Sequence, residues 1–226
     1  MSKFEVDIAD RNPWTHLNAL DQPENFSFAL LADRSGGIRE GHLERVIDRV
    51  NWLQPAFALH IGDLIEGAPH DMGEVNAQWD EALDVVAPLE PPLFLVPGNH
   101  DTVSLEQAEV WKERFGKIYY HFIYQNVLFL VLYSEDPPPK QMSGEQLAYF
   151  KRVLEEHPEV RWTMVFIHVP LWRYDPDRNG WEEFEKLLEG RRYTVFAGHV
   201  HRYLKDVRNG ESYIIVACSG AWNPSR

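Results

Sequence analysis

The sequence predicts an α/β fold that contains a parallel sheet. In the first hundred residues, short apolar segments alternate with amphipathic helices in the order β-α-β-α-β. Hydrophobic residues make up 44% of the 226 residues and charged residues 25%, which is typical of a globular domain with a sizeable core. Strands that are joined through helices pair in parallel, and their functional loops lie at the carboxyl ends of the strands.

The first half of the chain supplies this repeating unit. The predicted strands are short and apolar, and the predicted helices carry apolar residues at helical spacing. In chain order the elements are a strand over 26–32, a helix over 40–53, a strand over 56–61, a helix over 74–87 and a strand over 93–96.

The second half mixes hairpins with buried strands and helices. Two hairpins are expected, one turning at Gln125-Asn126 and one at Asn209-Gly210. The hairpin strands cover 119–124 with 127–132, and 202–207 with 212–217. The other predicted elements are a helix over 144–156 with Ser143 as its cap, a strand over 162–167, a helix over 181–188 and a strand over 193–197.

Two domain segments are expected. Residues 1–25 are predicted to be irregular and held by Trp14 and Leu17, and residues 26–226 are predicted to form one domain. No repeat, low-complexity tract or apolar run of about 20 residues interrupts the chain, so no membrane segment is expected. The polar start of the chain lacks the apolar centre of a signal peptide, which favours a cytoplasmic protein unless an export signal precedes it.

Charge and cysteine content exclude several classes of partner and site. The formal net charge of −13 disfavours a nucleic-acid surface or an anionic membrane, because both attract Lys and Arg. The chain has one cysteine, Cys218, which rules out an intramolecular disulfide and a Cys-based zinc site. The acidic residues could instead collect cations.

Polar side chains follow five of the predicted strands. A single His after a strand is more often structural, but five clusters at equivalent strand ends favour a shared site. The clusters are Asp33-Arg34-Ser35-Gly36-Gly37, Gly62-Asp63-Leu64-Ile65-Glu66, Gly98-Asn99-His100-Asp101, His168 and Gly198-His199-Val200-His201. Mixed imidazole, carboxylate and amide ligands suit Mn, Fe or Zn, whereas Ca and Mg favour oxygen ligands. Two such ions about 3.5–4 Å apart can clamp a phosphoryl group, and His100 beside them could protonate a leaving alkoxide.

The ordered series resembles the motifs of the calcineurin-like metallophosphoesterase family. That family carries Asp-x-His, Gly-Asp, Gly-Asn-His-Asp/Glu, His and Gly-His-x-His in this order, and the resemblance covers residues 26–201. It implies a four-layer α/β/β/α sandwich with a dinuclear metal site at the strand carboxyl ends. It also implies two divalent or trivalent metal ions, with Mn, Fe or Zn expected, and a phosphate-ester substrate.

The resemblance also implies a role for each matching residue. Asp63 is expected to bridge the ions, His100 to be the general acid, and Asp101 to orient His100 by a hydrogen bond. Asn99, His168 and His199 are expected to hold one ion, and Asp33 and His201 the other.

One position departs from the family pattern. Ser35 stands where the pattern has His, and a neutral hydroxyl is a poor ligand for a transition metal. The site of Asp33 and His201 is therefore expected to bind its ion more weakly. Arg34 could pair with a phosphate oxygen or be a surface charge, and Gly36-Gly37 could bring backbone close to the metal or a phosphate.

Two function classes stay open at this stage. The favoured one is a metal-dependent hydrolase of phosphate esters, either a monoesterase or a diesterase. The alternative is a binding or scaffold protein with a degenerate site, which would have no need for His100. His70 could touch substrate, and so could three loops over 66–78, 134–143 and 169–181. The last loop carries side chains that could stack on a base or sugar, or only cover the sheet edge: Trp172, Arg173, Tyr174 and Trp181.

Overall fold

The three-stranded sheet is parallel, as the sequence predicts. The computed structural model describes residues 4–19, 25–67, 70–136 and 140–222. Strands β2 (Ala29–Leu31), β3 (Ala58–Ile61) and β4 (Leu93–Val96) pair in the order β2-β3-β4. Helices α1 (His42–Leu53) and α2 (Met72–Val86) connect them, so the β-α-β-α-β unit is confirmed.

The second sheet has seven strands in the order β1-β5-β6-β7-β8-β10-β9. Their bounds are β1 Phe4–Glu5, β5 Tyr120–Tyr124, β6 Val127–Val131, β7 Trp162–Phe166, β8 Tyr193–Ala197, β9 Leu204–Arg208 and β10 Glu211–Ile215. Strands β5 and β6 form one predicted hairpin and β9 and β10 the other, and both pairs are antiparallel. The strand pairs β6–β7, β7–β8 and β8–β10 are parallel, so the carboxyl ends of these strands lie at one edge of the sheet.

Three further helices complete the fold. Helix α4 (Gly144–Glu156) begins at the predicted cap, where the Ser143 hydroxyl accepts a hydrogen bond from the Gln146 amide, and helix α5 spans Trp181–Leu187. Helix α3 (Leu105–Phe115) is not among the sequence predictions. The sequence indicates this helix only weakly, because its apolar face is less regular than that of α1. The clearest local sign is Ser104, which caps the helix by accepting a hydrogen bond from the Gln107 amide.

The layers confirm the four-layer α/β/β/α sandwich. One core lies between helices α1, α2 and α3 and the three-stranded sheet, and another lies between α4, α5 and the seven-stranded sheet. The core between the two sheets is rich in aromatic rings, and Phe94 stacks on Phe122 with 4.1 Å between their centroids. Burial of these faces positions the strand ends that carry the polar clusters.

The amino-terminal segment differs in part from its predicted irregular structure. Phe4–Glu5 form strand β1, which pairs with β5, and Trp14 forms an isolated bridge with Phe94. Residues 1–3 and 20–24 lie outside the described residues, so the division at residue 25 stays a prediction. Among the described helices, none has the length and apolar character needed to cross a membrane.

Candidate metal centre

Four of the predicted ligands follow their strands in a left-handed backbone conformation. The φ angles are 53° at Asp33, 60° at Asp63, 69° at His199 and 57° at His201. Such angles cost an ordinary residue about 1–3 kcal/mol, and they persist where surrounding structure holds the chain. The strand ends that carry these ligands are therefore held in a conformation that ordinary residues seldom adopt.

One group of predicted ligands converges closely. The Oδ1 atom of Asn99 lies 2.8 Å from His199 Nδ1 and 3.1 Å from His168 Nε2. The Oδ2 atom of Asp63 lies 3.0 Å from the same His168 Nε2. Asp63, His168 and His199 each offer a ligand atom within 4.8 Å of the other two. These four side chains, contributed by both sheets, surround one small volume.

The hydrogen bonds of His168 show that this volume suits a cation. The Nδ1–H group of His168 lies 2.8 Å from the carbonyl oxygen of Ile61 and donates to it. In the neutral ring the Nε2 lone pair would then face two acceptor oxygens, those of Asp63 and Asn99. Only a proton or a metal ion at Nε2 removes this repulsion.

The pKa values of His168, Asp63 and His199 agree with the need for a cation at His168 Nε2. Burial lowers the pKa of His168, but the charge and hydrogen bond of Asp63 raise it more strongly, to about 10. Burial raises the pKa of Asp63, but the charge and hydrogen bond of His168 bring it down to about 2. Burial and the charge of His168 lower the pKa of His199 to about 4, so this ring is neutral and able to ligate a metal.

The second group of predicted ligands is smaller. His201 Nε2 lies 3.5 Å from Asp33 Oδ1, and His201 Nδ1 lies 3.0 Å from the carbonyl oxygen of Trp222, to which it donates. The Oδ1 atom of Asp33 also accepts from the backbone N–H of His199 at 2.8 Å. Its Oδ2 atom is buried without a hydrogen-bond partner in the described residues, and burial raises the pKa of Asp33 to about 6. A buried carboxylate oxygen without a partner is costly, and a metal ion would satisfy it.

Ser35 is fully buried beside this second group. Its backbone N–H donates to the Asp63 carbonyl oxygen at 2.9 Å, and its hydroxyl oxygen has no hydrogen-bond partner in the described part of the chain. A Cβ atom at Gly36 would lie 2.7 Å from His201 Cε1, so the His201 ring packs directly on this glycine. The absence of a side chain at Gly36 therefore leaves room for the His201 ring in the loop after β2.

His100 lies beside the first group and is held by the backbone of Glu66. Its Nδ1 atom lies 2.8 Å from the Glu66 carbonyl oxygen, so Nδ1–H donates and Nε2 stays available. The backbone N–H of His100 donates to Asp63 Oδ1 at 2.8 Å, which places the ring next to the predicted bridging carboxylate.

The predicted role of Asp101 is wrong in its geometry. Its carboxylate makes no hydrogen bond to His100 in the described residues and instead accepts from four backbone N–H groups. These are the amides of Asp63, Leu64, Ile65 and Gly98, at 2.9, 2.9, 3.2 and 2.9 Å. Burial and the charge of Asp63 raise the pKa of Asp101 to about 6, an effect that the Gly98 and Ile65 amides oppose. Asp101 therefore ties the turn after β3 to the turn after β4.

The predicted phosphate contact of Arg34 stays a prediction, and the structure shows partners for this side chain within the chain. The guanidinium is 6% exposed, and its Nη2 atom lies 2.5 and 2.7 Å from the two carboxylate oxygens of Glu81 on α2. Its Nη1 atom donates to the Leu64 carbonyl oxygen at 3.2 Å. Arg34 thus joins the loop after β2 to helix α2, and its charge is already paired.

Glu66 occupies the backbone amides that the sequence offers to a phosphate. Its carboxylate accepts from the N–H groups of Gly36, Gly37 and Ile38 at 3.1, 3.0 and 3.2 Å. Sequence analysis placed Glu66 in a polar cluster but gave it no role, since its partners come from a different strand end. His70 is exposed, and its substrate contact stays a prediction.

The structure separates the aromatic residues of the loop over 169–181. Trp172 and Trp181 are buried, and the Trp172 indole N–H donates to Asp206 at 3.0 Å. Arg173 pairs with the same Asp206 carboxylate. Arg173 and Tyr174 are both exposed, and the Tyr174 ring centroid lies 6.3 Å from that of His199.

Comparisons with known proteins give a family match and similar folds. The family model described as calcineurin-like phosphoesterase matches residues 15–203. A dimetal phosphatase from Danio rerio is similar in structure, with a TM-score of 0.68 and 16% identity over 88% of this chain and 90% of that chain. A purple acid phosphatase from yellow lupin (Lupinus luteus) seeds has a TM-score of 0.61 and 17% identity over 88% of this chain and 46% of that chain.

A third similar structure is described in different terms. GAP50, the anchor in the inner membrane complex of Plasmodium, has a TM-score of 0.63 and 16% identity over 85% of this chain and 71% of that chain. A search of curated protein sequences found no significant match.

Proposed function

The chain belongs to the calcineurin-like phosphoesterase family, and from this membership we propose that it hydrolyses phosphate esters at a dinuclear metal centre. The observation that carries the proposal is the convergence of Asp63, Asn99, His168 and His199, in which His168 Nε2 faces two acceptor oxygens. That arrangement is stable with a cation among the ligand atoms.

The proposed ligands divide between two ions. Asp63 would bridge them, and the larger donor set would hold one ion more tightly than the smaller set. Asn99, His168 and His199 complete the first set, and Asp33 and His201 complete the second. When bound, a pair of such ions supplies positive charge for the phosphoryl oxygens and lowers the pKa of the attacking water. Imidazole and carboxylate donors favour Mn, Fe or Zn.

His100 acts in this proposal as the general acid. Its Nδ1–H group is fixed on the Glu66 carbonyl oxygen, so a protonated ring would carry its transferable proton at Nε2. That proton passes to the leaving oxygen of the ester as the P–O bond breaks. Asp101 keeps the two turns that carry Asp63 and His100 in register through its four backbone contacts.

A scaffold function is the second candidate. The structural similarity to an anchor protein of Plasmodium and the loss of a metal-ligating His at Ser35 both favour it. Against it stands His100, whose ring is held with Nε2 available beside Asp63, an arrangement that a scaffold has no need to keep.

An assay on metal-stripped protein separates the two candidates. Phosphate monoesters and diesters are offered separately after reloading with Mn, Zn, Fe or Mg, and an exposed-residue variant, Asp84→Asn, serves as a control. The hydrolase proposal expects turnover that requires metal and that Asp63→Asn abolishes. Metal binding without turnover on either ester class favours the scaffold.

A further inference from the structure

Two side chains, Tyr174 and Lys140, stand together at the rim of the candidate metal centre. The Tyr174 ring is 38% exposed and meets the His199 ring at 74°, with 6.3 Å between centroids. The Lys140 Nζ atom lies 4.9 Å from the centre of the Tyr174 ring. An ammonium at this distance from an aromatic ring makes a cation–π contact, which holds the charge on the side of the site.

Lys140 is exposed, and its side chain contacts the Tyr174 ring. In the described ranges no carboxylate lies within ion-pair distance of Lys140.

Within the described residues, two arginines in the loops after β2 and β7 do form ion pairs, unlike Lys140. Arg34 is paired with Glu81, and Arg173 is paired with Asp206. In a chain with a net charge of −13, an unpaired cation at the site rim is a local attraction for anions. A partly exposed ring beside it adds a flat surface on which a planar group can stack.

We propose that Tyr174 and Lys140 form a recognition subsite for a phosphate ester whose organic group is an aromatic ring carrying a second negative charge. The ring of the substrate packs against Tyr174 and its second anion pairs with Lys140, while the phosphate lies at the candidate metal ligands. This inference names the substrate class of the proposed hydrolase and rests on that function.

Three esters separate the two contributions. Glycerol 2-phosphate has neither feature, phenyl phosphate has the ring, and 4-carboxyphenyl phosphate has the ring and the second anion. Lys140→Gln should lower kcat/KM by about fivefold to tenfold for 4-carboxyphenyl phosphate and by less than about twofold for phenyl phosphate. Tyr174→Leu should lower kcat/KM for both aryl esters by about threefold to tenfold, with a smaller effect on glycerol 2-phosphate.

Matched controls test whether any surface change has the same effect. Lys151→Gln alters an exposed lysine on α4, and Trp52→Leu alters an exposed aromatic residue on α1. Both should leave the three kcat/KM values close to wild type. Equal losses on all three esters, or no loss on the charged aryl ester, would overturn the subsite while leaving the hydrolase intact.

Direct binding keeps the subsite distinguishable from the proposed activity. Calorimetry on the metal-loaded protein with 4-carboxyphenylphosphonate, which is not hydrolysed, should show weaker binding in Lys140→Gln by the same factor. If wild type cleaves none of the esters yet binds the phosphonate in a Lys140-dependent manner, the hydrolase fails and the subsite stands. If binding is also independent of Lys140 and Tyr174, the subsite is wrong.

Discussion

The Nδ1 atom of His100 lies 2.8 Å from the carbonyl oxygen of Glu66, and this contact sets which ring nitrogen can exchange a proton with a substrate. The Glu66 carboxylate in turn holds the backbone of residues 36–38. The turn after β3 therefore connects the candidate general acid to the loop that follows Asp33.

His100→Gln should lower turnover without removing metal. Because His100 contacts Glu66 and is not among the converging ligand atoms, metal content should stay near wild type. Loss of a general acid should reduce turnover by roughly 10²–10⁴-fold on esters with poor leaving groups and less on activated esters. Elemental analysis and rates on both ester types check this, with His157→Gln as the control. Lost metal would instead make His100 a ligand.

Asp101→Asn should destabilise the fold rather than change leaving-group dependence. The carboxylate accepts from four buried amides, and an Asn NH₂ group would face some of these donors. We expect the free energy of unfolding to fall by roughly 1–3 kcal/mol. Urea denaturation measures it, and Asp84→Asn, an exposed change on α2, should cost little. Unchanged stability, together with a loss of turnover confined to esters with poor leaving groups, would show that Asp101 orients His100.

Ser35→His should make the two metal sites fill more equally. In wild type the smaller ligand set has the imidazole of His201 but has Ser35 where the family pattern has a second imidazole. Loss of a ligand or its support commonly costs 10–100-fold in metal affinity, so a gap of about that size is expected between the two sites. The variant should narrow it, provided that the buried loop beside Gly36 admits the ring. Elemental analysis during metal titration compares both proteins. Two equally tight ions in wild type, with no change in the variant, would show that another group already replaces the imidazole.

His60 should make the protein less stable as the pH falls. It lies buried on β3, its Nε2 atom has no hydrogen-bond partner in the described residues, and burial lowers its pKa to about 3. The ordinary pKa of His is about 6.5, so between pH 6.5 and 3 the unfolded chain binds a proton that the folded protein does not. This contribution to stability is present above pH 6.5 and is lost as the pH decreases.

His60→Leu tests this pH dependence. The variant removes the titrating group, so its free energy of unfolding should fall less than that of wild type between pH 7 and pH 5, by about 2 kcal/mol. Urea denaturation of metal-stripped protein at both values measures the difference. Parallel pH dependences in the two proteins would mean that His60 has the same pKa in the folded protein as in the unfolded chain.

The sequence predicted those features that depend on local pattern. Apolar runs and turn residues predicted both hairpins and the parallel β-α-β-α-β unit. The positions of the motifs after the strands predicted that the strand ends lie close together. The pattern was too weak to predict α3, whose main signal is Ser104 with Gln107 three residues later. The sequence pattern also could not predict contacts between side chains that are distant in sequence. Arg34 pairs with Glu81, 47 residues away, and the short turn after β4 directs Asp101 toward the amides after β3 instead of toward its neighbour His100.

We propose above all that the converging side chains hold metal ions that make the protein a phosphoesterase. Release of phosphate from phenyl phosphate, followed while Mn is added in known equivalents to metal-stripped protein, tests it most directly. We expect no release without metal, a rate that rises with bound Mn and levels off near two ions per chain, and no release at any ratio in Asp63→Asn. Two bound ions without phosphate release from this or any other phosphate ester would contradict it.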